Sequence, residues 1–265
     1  MRVLLITVDG MRPDGLEQAE TPFLDRLRSE GAFTGSARSV MPSITLPCHM
    51  SMLRGVDVTR HGVTTNTYQP PARPVPSLLD VAKEKGRRTG FFYNWEELRD
   101  LHATGKLDVS FLYWDCEHAE GDHLVADMTI SFLERLDLEV VMVYLGYPDI
   151  AGHHDGWMSQ PYLDSLTNAD GCIARIYGAF ERLGLADDTV TLVTSDHGGH
   201  GRSHGTDCDE DLLIPWLLHG PGIRAGHALE TPVRIYDTCT TLAHILGLPP
   251  SPEWDGQVVT EALMA

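Results

Sequence analysis

Residues 195–205, SDHGGHGRSHG, combine one aspartate, three histidines and four glycines. They follow residues 189–194, TVTLVT, an apolar and β-branched run that predicts a buried strand. Carboxylate oxygens and imidazole nitrogens are typical ligands of zinc, manganese and iron. A buried strand that leads directly into such groups therefore predicts a metal site at its end. The glycines are expected to let the backbone turn sharply and to keep the site open.

Two further aspartates follow apolar runs in the same way. Asp9 comes directly after residues 3–8, VLLITV, and Asp149 comes shortly after residues 139–145, EVVMVYL. In open α/β sheets the carboxyl ends of the strands form the ligand-binding edge, so Asp9, Asp149 and Asp196 are predicted to converge there. A single aspartate after a strand is equally well explained as a helix N-cap. Three of them, each with His or Gly nearby, favour a shared site.

Histidines accompany these aspartates. His153 lies four residues after Asp149, His197 is adjacent to Asp196, and His204 lies seven residues beyond His197. Six such groups exceed what one tetrahedral ion uses, and they predict two metal ions roughly 3.5–4 Å apart, as in two-metal phosphoryl-transfer sites. His154 and His200 stand beside better candidates. They are expected to be exposed or to support the ligands.

The segment PSITLPCH, residues 42–49, offers a nucleophile. Ser43, Thr45 and Cys48 all lie near the start of the apolar helical run at 49–53, and a helix N-terminus stabilises an oxyanion or a bound phosphoryl group. On local grounds the three remain alternatives, and an ordinary N-cap is the favoured explanation if the segment is taken alone.

Composition limits the class of protein. The chain has 265 residues, with 38 acidic and 20 basic side chains and a formal net charge of −18. That charge disfavours a nucleic acid polymer or an anionic membrane surface as partner, although for most surface carboxylates it indicates only solubility. Five cysteines without regular spacing indicate a reducing, cytoplasmic compartment rather than a disulfide framework. The start, MRVLLITVDG, is interpreted as a first strand, not a signal peptide.

The elements that must hold these residues alternate between strands and helices. Further strands are predicted at 89–93 and 212–218, and helices at 22–30, 76–85, 122–136, 160–183 and 236–246. Thr21 is expected to cap the first of these helices and Gly31 to end it. The pattern predicts an α/β fold with a mostly parallel sheet. We expect a single catalytic domain over 1–265, with a small pocket-shaping insertion around 66–121, where 66–76 form a loop and 95–121 shape a pocket or cover a sheet edge.

Taken together, the motifs resemble the alkaline phosphatase superfamily, and most closely its nucleotide pyrophosphatase/phosphodiesterase branch. VDGMRPD resembles the opening metal-aspartate segment, and TPFLDRLRSEG the helix that follows it. SITLPCHMSMLRGVDVTRHGV resembles the nucleophile block, YPDIAGHHDG the central metal block, and SDHGG with SHG the last two metal blocks. Their order and spacing make the match specific, and it runs nearly end to end.

The resemblance implies a three-layer αβα sandwich and a role for each residue. Thr45 would be the nucleophile, and Asn66 would steady a phosphoryl oxygen. Asp149, His153 and His204 would hold one divalent ion, and Asp9, Thr45, Asp196 and His197 the other. Zinc would be the native metal, with manganese or iron as alternatives. The implied activity is hydrolysis of a phosphodiester or pyrophosphate bond in a small, nucleotide-like substrate through a phospho-threonine intermediate.

The sequence also departs from the branch. Cys48 stands where asparagine is usual, and Arg54 replaces a usual threonine. The chain ends soon after the final His block, so it would correspond to a catalytic core without large additional domains. Two alternatives remain: a phosphomonoesterase or phosphonate hydrolase of the same superfamily, and a degenerate member that binds metal or ligand without turnover. A sulfatase is disfavoured because no Cys- or Ser-based sulfatase block occurs.

Overall fold

The computed structural model describes residues 1–70, 74–102 and 105–264. Within these residues one eight-stranded sheet has the strand order β4-β3-β5-β1-β6-β7-β2-β8. The strands are β1 Arg2–Val8, β2 Ala32–Arg38, β3 Thr89–Tyr93, β4 Val109–Leu112, β5 Val140–Leu145, β6 Thr189–Thr194, β7 Leu213–His219 and β8 His227–Ala228. β7 is antiparallel to both of its neighbours, while the other pairings are parallel. The expectation of a mostly parallel sheet is confirmed.

Ten helices cover the two faces of the sheet in the described part of the chain. They are α1 Pro13–Gln18, α2 Pro22–Glu30, α3 Thr45–Arg54, α4 Val58–His61, α5 Leu78–Glu84, α6 Ala119–Leu133, α7 Tyr147–Asp155, α8 Gln160–Arg182, α9 Asp209–Leu212 and α10 Asp237–Ile245. None of them is long and apolar enough to cross a membrane.

Alternate residues of β1 point into two separate cores. Leu5 packs in a core with side chains of α3, α5 and α10, whereas Leu4 and Ile6 pack in a second core with side chains of α1, α2, α6 and α8. Because a strand covered on both faces must be apolar at every position, VLLITV reads as a continuous run. The predicted three-layer αβα sandwich is confirmed.

Two strands lack the apolar run that would have revealed them. β2, AFTGSAR, is rich in small and polar residues and carries a register shift between Thr34 and Ala37. Pro215 of β7 lies opposite this shift, which fits its missing N–H, since proline in a sheet is confined to edges and bulges. β4 is a half-exposed edge strand. Local sequence carries little signal for either.

The predicted helix at 22–30 is confirmed, but its expected cap is wrong. The Thr21 hydroxyl donates to the Leu16 carbonyl, 3.4 Å away, and does not cap the helix. Instead Asp170 of α8 accepts the N–H groups of Phe23 and Leu24, at 3.1 and 2.7 Å. A carboxylate from a neighbouring helix therefore satisfies the free donors of the first turn.

Residues 66–121, where a small insertion was predicted, include α5, β3 and β4. β3 pairs with both β4 and β5 inside the sheet, and residues 96–101 form a 3-10 turn between β3 and β4. β4 is the outermost strand on that side, so part of 95–121 forms the edge of the sheet.

Candidate metal centre and nucleophile

Three adjacent strands deliver the predicted carboxylates to one edge of the sheet. β1 lies between β5 and β6, with Val8 paired to Leu145 and Thr7 paired to Thr194. Each of these strands ends one to four residues before an aspartate, so Asp9, Asp149 and Asp196 meet in space. All three are buried.

The first ligand cluster consists of Asp9, Asp196 and His197. One ligand atom of each lies within 4.8 Å of the others. His197 Nε2 is 3.4 Å from Asp9 Oδ1 and 3.4 Å from Asp196 Oδ2. Burial lowers the pKa of His197, which keeps the ring neutral near pH 7, the form that binds metal.

The second ligand cluster consists of Asp149, His153 and His204, again with ligand atoms within 4.8 Å of one another. α7 places Asp149 and His153 one turn apart, so that His153 Nε2 lies 3.4 Å from Asp149 Oδ2. His204 Nε2 lies 3.7 Å from Asp149 Oδ1. The rings of His197 and His204 stack with centroids 3.9 Å apart, which joins the two clusters.

Each ligand histidine is oriented by a backbone carbonyl. Nδ1 donates to this carbonyl in all three, so Nε2 is left as the acceptor nitrogen that faces the carboxylates. The pairs are His197 with Gly198 at 2.8 Å, His153 with Arg202 at 2.9 Å and His204 with Ser43 at 2.8 Å. A hydrogen bond of this kind is the usual support of a metal-bound histidine.

The carboxylates also fit bound cations. Asp9 Oδ2 accepts from the Tyr144 hydroxyl and Asp196 Oδ1 accepts from the Gly10 N–H at 3.3 Å. Their second oxygens, together with Asp149 Oδ1, are buried and accept no hydrogen bond from any described residue. Burial and the negative charges of Asp196 and Asp149 raise the pKa of Asp9. Because unpaired buried carboxylate oxygens are costly, this arrangement suits divalent metal ions.

Thr45 is the candidate nucleophile that faces these clusters. It is the first residue of α3, and its Oγ1 lies 3.2 Å from His197 Nε2. Ser43 Oγ instead donates to the Thr206 carbonyl at 2.8 Å. Burial raises the pKa of the Cys48 thiol, with the charge of Asp196 adding to the effect. The geometry therefore favours Thr45 among the three alternatives.

Asn66 lies next to the start of α3. Its Oδ1 accepts the Leu46 N–H at 3.0 Å, one residue after Thr45. This contact directs the amide oxygen toward the helix and leaves Nδ2 as the donor group of the side chain. A neutral amide donor is thus placed beside the candidate nucleophile.

Two arginines of the block SITLPCHMSMLRGVDVTRHGV are engaged elsewhere. Arg54 is buried and donates to the backbone carbonyls of Val75 and Leu101. Arg60 pairs with Asp255 at 2.6 Å. Neither guanidinium is therefore directed to the metal clusters.

The two other predicted histidines also lie outside the ligand clusters. His154 is 82% exposed and contacts Asp155, and His200 contacts Asp211. Arg202 contributes its backbone carbonyl to His153.

Sequence reasoning missed several buried residues that support the ligands. His49 donates from Nδ1 to the Thr45 carbonyl at 2.9 Å and lies 3.5 Å from Asp196 Oδ2. Ser195 Oγ accepts the Met11 N–H at 2.9 Å. His49, four residues after Thr45 in the helix, and Tyr144, a polar residue within an apolar strand, carried signals that could have identified them.

Trp157 was also missed, and it explains one of the four glycines in the 195–205 segment. An added Cβ at Gly199 would lie 2.2 Å from the Trp157 ring, and one at Gly198 would lie 2.1 Å from the Glu210 carbonyl oxygen. Gly201 and Gly205 have φ values of 54° and 106°, which L side chains rarely adopt. Two glycines therefore allow turns, as expected, and two allow close packing.

Most of the chain resembles a known family and known proteins. Residues 3–212 match the family described as type I phosphodiesterase / nucleotide pyrophosphatase. Ectonucleotide pyrophosphatase/phosphodiesterase family member 7 of Mus musculus is 26% identical over 221 residues, which cover 74% of this chain and 49% of that protein. Bis(5'-adenosyl)-triphosphatase ENPP4 of Homo sapiens is 24% identical over 241 residues, covering 80% and 49%. The chain thus spans about half the length of these relatives.

Solved structures share the fold. The murine ectonucleotide pyrophosphatase/phosphodiesterase 5, as an inactive variant in complex with AMP, has a TM-score of 0.85 at 16% identity over 100% of both chains. The phosphonate monoester hydrolase of Agrobacterium radiobacter has a TM-score of 0.82 at 18% identity, covering 99% of this chain and 77% of that one. The match to the family over 210 residues, 3–212, decides the assignment: the chain belongs to the type I phosphodiesterase / nucleotide pyrophosphatase family.

Proposed function

We propose that the chain hydrolyses phosphodiester or pyrophosphate bonds of small, nucleotide-like substrates through a covalent intermediate on Thr45. The observation that carries the proposal is the 3.2 Å approach of Thr45 Oγ1 to His197 Nε2, at the junction of the two ligand clusters. Membership of the family and the activities named for its relatives support the same reaction class.

The residues divide into two metal-binding sets. Asp9, Asp196 and His197, with the Thr45 hydroxyl, would hold one divalent ion, and Asp149, His153 and His204 would hold the other. Two bound ions would supply Lewis-acid stabilisation of charge on the Thr45 oxygen, the leaving oxygen and the phosphoryl oxygens. These carboxylate, hydroxyl and imidazole ligands suit zinc, with manganese or iron as alternatives.

Thr45 then acts in a double displacement. Its hydroxyl passes its proton to solvent, and Oγ1 forms a bond to phosphorus while the bond from phosphorus to the leaving group breaks. The leaving oxygen takes up a proton from solvent. The product is a phospho-threonine that, for a diester substrate, retains the remaining ester group. Water attacks the same phosphorus in the second step and releases the threonine hydroxyl. Asn66 steadies a phosphoryl oxygen through Nδ2, as preorganised electrostatic stabilisation.

The charge of the site favours a diester over a monoester. A phosphate monoester carries up to two negative charges, and a nearby arginine commonly binds the additional charge in bidentate fashion. Arg54 and Arg60 are engaged in other contacts, and the group beside Thr45 is the neutral amide of Asn66. Arg202, the third arginine near the motifs, is exposed. Among the described residues, such a site has no arginine to bind the second negative charge of a monoester, so this charge adds little to transition-state binding.

A chromogenic comparison tests this proposal. With zinc or manganese added, we expect kcat/KM for a nitrophenyl nucleotide diester to exceed that for nitrophenyl phosphate at least about tenfold, or ~1.4 kcal/mol of transition-state binding. A sulfate ester and metal-free protein are the controls, and both should give background rates. A reversed ratio would support the phosphomonoesterase alternative, and no turnover of any ester would support a degenerate binding protein.

A further inference from the structure

A third group of potential ligands lies outside the two clusters. His200, Cys208 and Asp211, called here the loop cluster, each offer one ligand atom within 4.8 Å of the others. His200 Nδ1 is 3.6 Å from Cys208 Sγ and 2.7 Å from Asp211 Oδ1. The proposed reaction uses none of these side chains, so their proximity needs another explanation.

The distances suit a tetrahedral zinc ion. With Zn–S near 2.3 Å and Zn–N near 2.0–2.1 Å, the sulfur and nitrogen ligands of such an ion lie roughly 3.5 Å apart. The 3.6 Å separation of Cys208 Sγ and His200 Nδ1 matches this value. The shorter contact from His200 Nδ1 to Asp211 Oδ1 is a hydrogen bond, whose proton an entering ion would replace.

The carboxylate of Asp211 is already oriented toward the other two groups. Its side chain is fully buried, and Oδ2 accepts both the N–H and the hydroxyl of Thr206, each at 2.8 Å. These two bonds fix Oδ2 and turn Oδ1 toward His200. Support of a ligand carboxylate by hydrogen bonds from outside the site is characteristic of metal centres.

The loop cluster is also accessible. The His200 side chain is 47% exposed, and Cys208 is partly exposed, whereas Cys48, Cys116, Cys172 and Cys239 are buried. An ion can therefore reach Cys208 from solvent. A thiolate beside imidazole and carboxylate selects zinc over magnesium, calcium or manganese.

We propose that His200 Nδ1, Cys208 Sγ and Asp211 Oδ1 bind one zinc ion, with water in the fourth position. Binding releases the proton of the Cys208 thiol, while the neutral His200 ring keeps its proton on Nε2 and ligates through Nδ1. The ion links residues 200, 208 and 211 on either side of His204, and so it fastens the segment that carries a ligand of the second cluster.

Cobalt substitution tests the proposal without relying on hydrolysis. The other two clusters contain only oxygen and nitrogen ligands, so a thiolate-to-cobalt charge-transfer band in the near ultraviolet would report the loop cluster alone. Titration of the full chain with Co²⁺ should raise this band to saturation at one thiolate-bound ion per chain. Cys208→Ser should abolish the band and lower the zinc content by one ion per chain.

One matched control and one further ligand variant complete the test. Cys172 Sγ lies 3.8 Å from His123 Nδ1, so it is also a cysteine beside a histidine. Cys172→Ala should keep the full band. His200→Gln removes one of the three ligands, so it should lose at least about tenfold in cobalt affinity at the loop cluster, no less than the loss of a group that only supports a ligand. Absence of the band from wild-type protein whose other sites have filled would overturn the proposal. Its persistence in Cys208→Ser would do the same.

Discussion

Hydrogen bonds to the backbone, not only residue type, define the candidate metal ligands. Two ligand pairs could be predicted because local geometry brings their members together. These pairs are Asp149 with His153, one helical turn apart, and Asp196 with His197, which are adjacent. The carbonyl of Ser43 that orients His204 lies 161 residues away in sequence, so no local pattern reveals it. The Tyr144 hydroxyl on Asp9 was missed for the same reason, since it crosses between neighbouring strands.

Substitution of Thr45 tests the nucleophile. Thr45→Ala is expected to lower kcat by up to about 10⁶, the scale seen when a covalent nucleophile is lost from a cooperating set. Ser43→Ala removes one hydrogen bond to the Thr206 carbonyl, worth about 1 kcal/mol, and should lower kcat by no more than about tenfold. Steady-state kinetics on a nitrophenyl diester measure both. Similar losses in the two variants would return Ser43 to consideration.

Substitution of the aspartates tests the metal clusters. Asp149→Asn and Asp196→Asn should each lower the bound zinc by one ion per chain, because each removes an anionic ligand from a different cluster. His154→Gln is the matched control, since His154 is adjacent to His153 but is 82% exposed. Elemental analysis after reconstitution in excess zinc gives the values. Unchanged zinc in both aspartate variants would rule out the two assigned sites.

At the scale of elements, the sequence predicted what is locally encoded and missed what tertiary contacts impose. The strands at 89–93 and 189–194 have the bounds that their apolar runs predict. β2 could not be predicted because its pairing with β7 rather than its composition makes it a strand. The cap of α2 was assigned to Thr21, whereas Asp170 from α8 supplies it.

The loop after β6 depends on glycine for its packing. Gly199→Ala would place a Cβ 2.2 Å from the Trp157 ring, whose centroid is 5.0 Å from that of His153. We expect a loss of ~1–3 kcal/mol in unfolding free energy, as for other overpacked sites, together with weaker metal binding at the second cluster. Gly171→Ala is the control, because α8 leaves open space there and alanine should stabilise by ~0.5–1 kcal/mol.

Urea unfolding and zinc titration of the two variants give the comparison. A Gly199→Ala protein with wild-type stability and zinc affinity would show that Trp157 does not support the second cluster.

Asp122 of α6 predicts a pH dependence of stability. Its Oδ1 accepts from Asn94 Nδ2 at 2.8 Å and from the Gly146 N–H at 3.1 Å, just before α7. Burial raises the pKa of Asp122 from 3.8 to about 7. The folded state therefore binds this proton more tightly than the unfolded state does. The resulting contribution to the unfolding free energy is complete below pH 3.8 and is lost as the pH rises to about 7.

Asp122→Asn keeps an acceptor oxygen but does not titrate. Wild type should lose unfolding free energy relative to Asp122→Asn as the pH rises from 4 to 8. The difference should be a few kcal/mol at most, since one pKa unit corresponds to about 1.4 kcal/mol. Urea unfolding of metal-free protein at both pH values measures this difference. Parallel pH profiles for the two proteins would contradict the raised pKa of Asp122.

At the scale of the whole molecule, the sheet gathers residues that are up to 195 positions apart, from Asp9 to His204. β5, β1 and β6, which end at the site, are neighbours in the middle of the sheet. The carboxyl ends that carry the site therefore belong to the most buried part of the fold. The formal net charge of −18 is compatible with a small anionic substrate only where cations compensate it locally. The two ligand clusters are where we expect that compensation.

The stereochemical course at phosphorus tests the central claim, a double displacement through a covalent enzyme intermediate. A chiral phosphorothioate diester of known configuration would be hydrolysed by the zinc-loaded protein in ¹⁸O-labelled water, and the configuration of the product determined. Two successive in-line displacements, the first by Thr45 and the second by water, each invert the centre, so the account predicts net retention. Net inversion would mean that water attacks the substrate directly, and it would contradict the covalent role of Thr45.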